Sequence, residues 1–145
     1  MKIRTIIATV SLLTVIVSCD KTGAPEIDFH ELGYENSGTA EAGDELHMDA
    51  EVVAENKIDR IEVIIHPQGE EHKKTTMILL SEGEWEFDSI YTEFSGLRNT
   101  GFHKHIDVPQ NAESGHYHFH FSVTDLEGYQ AVYEDEVEIL SPAKK

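Results

Sequence analysis

A chain of 145 residues can build one hydrophobic core with appendages, and nothing in its length calls for a second. Twenty-eight acidic against 11 basic residues give a formal charge of -17. A nucleic-acid partner, which needs clustered cations to displace counterions, is excluded, and an anionic lipid surface repels such a chain. Nine histidines stand beside a single cysteine, so a site made of side chains must use imidazole and carboxylate; a disulfide framework or a zinc ribbon is ruled out.

The chain opens with Lys2 and Arg4, then an uncharged apolar run over 6–17 that closes on Ser18. This pattern predicts a secretory signal peptide over 1–18, too short to span a bilayer. Ile16-Val17-Ser18-Cys19 resembles a bacterial lipobox, in which the cysteine becomes the lipidated first residue. Removing 1–18 takes away two bases and no acid, which leaves a mature charge of -19. Residues 19–25, with Gly23 and Pro25 and no apolar period, read as the lipidated cysteine and a short tether.

From Pro25 onward the apolar period is two rather than 3.6, with turn residues between short runs. Strands are expected over 26–31, 45–54, 58–66, 75–80, 102–108, 116–124 and 129–140. The segment 82–101 reads as a strand plus a long loop. Seven antiparallel strands with no amphipathic helix predict an all-β, immunoglobulin-like β-sandwich over 26–141, without the immunoglobulin disulfide.

The histidines form two rows. Residues i and i+2 of a strand project from one face about 6.5–7 Å apart, close enough for two imidazoles to tilt toward one ion. His116, His118 and His120 make one row, opposite Tyr117, Phe119 and Phe121. His116 and His120 stand about 13 Å apart at that rise, too far to share an ion, so a pair needs a neighbour. The sandwich order pairs this strand antiparallel with 58–66 and brings His66 beside its beginning. His66, His116 and His118 are therefore the expected three-imidazole set, with His120 on the same row and water, Glu62 or another carboxylate as fourth ligand. The arrangement is similar to the zinc site of carbonic anhydrases in geometry alone.

His103 and His105, continued by Asp107, form the second row, on a strand expected to pair with 45–54. Its outward residues are His47, Asp49 and Glu51, so His47, His103 and His105 make a second candidate cluster on the opposite sheet. The stretch from Gly101 to His105 is similar to one in copper-zinc superoxide dismutases, but Lys104 takes a usually apolar place and structural cysteines are missing; the match is set aside as chance. The ligands suit zinc, copper(II) or nickel(II). His30 and His72 read as solvated, as do Glu134, Asp135, Glu136 and Glu138. Asp125 to Gly128 reads as a turn, and Trp85, Phe87, Tyr91 and Phe94 as core packing beneath an insertion rather than a stacking platform.

The lipobox, the tether and the sandwich, with Leu46-His47, Ile65-His66-Pro67, the run from Phe102 to Pro109 and Gly115-His116-Tyr117-His118, resemble a family of Bacteroidetes lipoproteins of unknown function. The resemblance covers about residues 25 to 140. It implies an envelope lipoprotein with an immunoglobulin-like domain, and it carries over no catalytic residue.

No Gly-x-Ser-x-Gly elbow, free thiol or phosphate-binding glycine loop is present. The expected function is therefore non-enzymatic: a module anchored through Cys19 to the cell envelope, at the outer membrane, that binds zinc or copper(II). The alternative is an interaction module of an outer-membrane assembly or uptake system with incidental histidines. Two weaker readings are an interface switched by histidine protonation below about pH 6.5, and a metal-dependent hydrolase with three imidazoles and a water.

Overall fold

A computed structural model describes residues 23–68 and 85–142. The signal peptide over 1–18, Cys19, the strand expected over 75–80 and His72 lie outside the described residues. Among the described residues, alternation of apolar and polar side chains builds eight strands: β1 (Glu26–Leu32), β2 (Thr39–Glu41), β3 (Glu45–Val53), β4 (Ile58–Pro67), β5 (Phe87–Tyr91), β6 (Asn99–Asp107), β7 (Gly115–Asp125) and β8 (Gln130–Leu140). Among the described residues the one helical element is a short 3-10 turn, Tyr34–Asn36.

The strands form two sheets, β1-β3-β6 and β2-β8-β7-β4-β5. That order is the immunoglobulin sandwich. Period-two patterning sends Leu46, Met48, Ala50 and Val52 of β3 into the core against Ile61, Val63 and Ile65 of β4 and Phe119, Phe121 and Val123 of β7. Rings lock the sheets together: Phe29 of β1 meets Phe119 and Phe121 edge-on at 5.5 and 5.4 Å, and Phe102 of β6 meets Phe121 at 5.0 Å. At the start of β7, Tyr117 donates its hydroxyl hydrogen to the Glu113 carbonyl at 2.7 Å. This is the tyrosine corner of immunoglobulin-like domains.

Two features depart from the expectation of seven antiparallel strands. β2 is an additional strand and pairs parallel to β8. The chain reaches it from the other sheet through Gly33, whose φ is 72°, where an added Cβ would lie 2.6 Å from the Thr39 carbonyl oxygen. Only glycine fits there. The second is a pair of register shifts, in β1 between Phe29 and Glu31 and in β4 between Ile58 and Arg60.

The aromatic segment packs inward as expected. Trp85 is buried against Tyr117, and Tyr91 and Phe94 both lie on Phe102, at 5.0 and 5.7 Å between centroids. Lys104 occupies an inward position of β6 and sets its ammonium over the Tyr91 and Phe94 rings, 5.2 and 5.7 Å from their centroids, while donating to Glu93 at 2.9 Å. The Asp125 turn is also as expected: the buried carboxylate accepts from the backbone N–H groups of Glu127 and Tyr129 and from the Asn56 amide.

Tyr133 of β8 closes one margin of the core, stacked on Phe29 with centroids 4.5 Å apart. Burial, then the hydrogen bond it donates to Asp135 and that residue's charge, push its hydroxyl up to about 12 from the usual 10.0. Between these values the folded chain keeps a proton that the unfolded chain releases, so this contribution is intact below about pH 10 and is lost as pH rises toward 12. Tyr133→Phe should be less stable than wild type by about 1 kcal/mol at neutral pH, the worth of one hydrogen bond. Denaturant melts at rising pH should show that gap closing over the same window.

Candidate metal centre

The outward face of the three-stranded sheet is set by the inward one. With Leu46 and Ile106 facing each other in the core, the β3–β6 ladder places His47 opposite His105 and Asp49 opposite His103. One nitrogen can be taken from each of His47, His103 and His105 such that all three lie within 4.8 Å of one another. Two of them, His47 Nε2 and His103 Nδ1, are already 3.4 Å apart. Nitrogens bound tetrahedrally to zinc at 2.0–2.1 Å stand about 3.3–3.4 Å apart, so this edge is at ligating distance before any ion enters.

Each ring of the cluster also has a carboxylate at Nδ1: Glu31 for His47 at 3.3 Å, Asp49 for His103 at 3.0 Å and Glu45 for His105 at 3.1 Å. For His47 and His105 a carboxylate in this place fixes the ring and the tautomer and raises the basicity of the other nitrogen, as outer partners of metal-bound histidines do; at His103 the nitrogen that faces His47 is Nδ1 itself, so Asp49 stands beside the ligating nitrogen rather than behind the ring. His47 is the shielded member, 17% exposed, with His103 and His105 reaching solvent at 59% and 46%. The arrangement is a floor with two open walls.

The bulge in β1 supplies one of those carboxylates and a fourth imidazole. Phe29 packs into the core and Leu32 is buried, and between them β1 has one residue more than its partner. Such a bulge aims two consecutive side chains at the same face. Glu31 thereby reaches His47, and His30 faces Asp49 and Asp28 at 3.4 Å each. His30, expected to be merely solvated, is thus part of the cluster's surroundings. The alternation of apolar residues across 29–32 breaks at this point, which is the sequence signal that marks it.

The set ranked first from the sequence is arranged differently. β4 and β7 do pair antiparallel, with His66 opposite His118 and their centroids 5.3 Å apart. His66 Nε2, however, meets His120 Nε2, at 3.3 Å. His116 turns to Glu136 across the β7–β8 pair, and Glu62 accepts from Ser122. Among the described residues it is His47, His103 and His105, not His66, His116 and His118, that gather three ligand nitrogens. The reason is register: His118 rather than His116 stands opposite His66, and His120 reaches it on the diagonal. Glu134 and Glu136, expected to be only solvated, are partners of His120 and His116.

Fold and faces together define an all-β sandwich whose two sheets each present imidazoles backed by carboxylates. The chain belongs to the DUF4625 family, a domain of unknown function, whose model matches residues 17–140. Among solved structures it is similar to a DUF4466 family protein from Parabacteroides merdae ATCC 43184, with a TM-score of 0.51 and 12% identity, over 79% of this chain and 45% of that one. The chain thus spans less than half the length of that protein, and the likeness is one of fold. No curated protein matches the chain. Among the described residues no helix is long and apolar enough to cross a membrane.

The hydrogen bond from His103, joined by the nearby charges of His103 and His30, holds the Asp49 carboxyl below the usual aspartate range against the opposing effect of desolvation. A lowered folded value stabilises the protein above the ordinary aspartate range and stops doing so as pH falls through the folded value. In His103→Ala, carboxyl NMR should show Asp49 titrating closer to the ordinary 3.8. The stability gap between wild type and variant should shrink as Asp49 protonates.

Proposed function

We propose that the protein is a lipid-anchored component of the cell envelope that holds a divalent transition metal, zinc or copper(II), through His47, His103 and His105. The observation that carries this reading is the gathering of three ring nitrogens within 4.8 Å, with His47 and His105 backed at Nδ1 by Glu31 and Glu45 and with Asp49 beside the His103 nitrogen. An imidazole set of this kind favours zinc and copper(II) over magnesium or calcium, which prefer oxygen. Asp49 or a solvent water supplies a fourth ligand. The strongly acidic mature chain draws divalent cations toward this face. Ligation needs neutral imidazoles, so protons compete and affinity falls in acid.

The role is one of holding and passing on an ion rather than of catalysis, in keeping with a sequence that carries no nucleophile motif. The anchor rests on Ile16-Val17-Ser18-Cys19 and the uncharged run before it. A single acyl-cysteine tether would keep the domain at the outer membrane despite its charge and within reach of envelope partners.

Titration of zinc and copper(II) into the full chain, purified in detergent without a histidine tag, tests the site. The tightest step should be lost in His47→Ala/His103→Ala and weakened about 10–100-fold in Glu31→Gln, the usual cost of removing an outer partner of a ligand. An unchanged first step in the double variant would overturn the reading. Cys19→Ser should move the protein from the membrane to the soluble fraction, and its continued sedimentation with membranes would refute the anchor.

A further inference from the structure

The five-stranded sheet holds a second pair of imidazoles whose protons can be placed by chemistry alone. A neutral imidazole has one N–H and one lone pair. His66 Nδ1 lies 3.3 Å from the Pro67 carbonyl oxygen, which can only accept, so in the neutral ring the proton sits on Nδ1 and the lone pair on Nε2. His120 Nδ1 lies 3.2 Å from a carboxylate oxygen of Glu134, and the same reasoning puts its lone pair on Nε2. These two Nε2 atoms are the ones that meet, 3.3 Å apart. The ring centroids are 5.3 Å apart and the planes are 13° from parallel, so the nitrogens are the near ends of the rings.

Two neutral imidazoles fixed in this way set lone pair against lone pair. The contact becomes attractive when a cation stands between them, and 3.3 Å is the span of two nitrogens on one tetrahedral zinc ion. The outer partners match those of metal-bound histidines, a backbone carbonyl on one ring and a carboxylate on the other. His118 stands on the same face, its centroid 5.3 Å from that of His66 and 6.2 Å from that of His120. His66 is reached on the diagonal because β4 and β7 pair Ile64 with His120 and His66 with His118, and diagonal neighbours lie within reach of long side chains.

From this geometry we infer a second zinc-binding site, formed by His66 and His120 on the sheet opposite the three-histidine cluster. It has two imidazoles where the other has three, so it is the weaker site. The pair stands whether or not the first cluster binds metal, because it shares no residue with it.

Zinc titration of the untagged full chain by calorimetry, with its variants, separates the two. The wild type should take up two equivalents, the second at least tenfold more weakly. His66→Gln/His120→Gln, which keeps side-chain volume and polarity, should remove the weaker step alone, with an unchanged thermal melt in chelator showing that the fold is intact. His47→Ala/His103→Ala should remove the tighter step alone. A wild type that binds one equivalent, all of it lost in His47→Ala/His103→Ala, would overturn this inference and leave the first site standing; in that case the pair shares a proton and nothing more. One equivalent lost only in His66→Gln/His120→Gln would establish this site and refute the other. If the glutamine variant does not fold, His120→Asn alone serves, and retention of the weaker step in it would also overturn the inference.

Discussion

The edge-on contact between Phe102 of β6 and Phe121 of β7 fixes the position of nearly everything outside the core. Both rings are fully buried, one from each sheet, with centroids 5.0 Å apart. A strand's side chains alternate with period two, so a slip of one residue in β6 would bring His103 and His105 into the core and expel Phe102 and Ile106. The penalty for burying unpaired imidazoles and exposing those apolar side chains is what holds the histidines outward. Phe121 acts in the same way on His118 and His120. The surface chemistry is thus inherited from the packing beneath it.

Both outer faces follow one plan. In the three-stranded sheet, β1 and β3 supply Glu31, Glu45 and Asp49 to imidazoles on β3 and β6. In the five-stranded sheet, β8 supplies Glu134 and Glu136 to His120 and His116 on β7. Five of the 28 acidic residues are therefore registered against histidine on the adjacent strand. An imidazole with a carboxylate behind it is a better electron donor and is held in one orientation. The positive side of the ledger is small by comparison, and Lys104, one of its few members, is committed to Glu93 and to two aromatic faces.

Most of the sandwich was legible because its strands are long enough for alternation to show. Leu46 to Val52 and Tyr117 to Val123 each give four inward residues in a row, and their pairing with 102–108 and 58–66 follows from the sandwich order. β2 was not legible: three residues give no period, and its pairing with β8 depends on a glycine turn. β5 could be placed only within the broad segment 82–101. At the candidate site the residue types could be read and the grouping only partly. His47, His103 and His105 follow from strand pairing alone. Whether His66 meets His116 or His120 depends on a register offset of two residues and on which way each ring turns toward its carboxylate, and neither is written in spacing.

The bulge at His30 bears on how such a surface can change over time. An inserted residue that is left out of the ladder alters one position on the outside while the pairs before and after it, Phe29 with Ala50 and Glu31 with Asp49, keep their partners. The core therefore does not register the event. A family built on this sandwich can add or drop an imidazole beside its acidic face by a single-codon insertion or deletion in β1, whereas any exchange within β3 or β6 must also satisfy the hydrophobic interior. Variation in surface chemistry among relatives should concentrate at this edge, where innovation is cheapest to the fold.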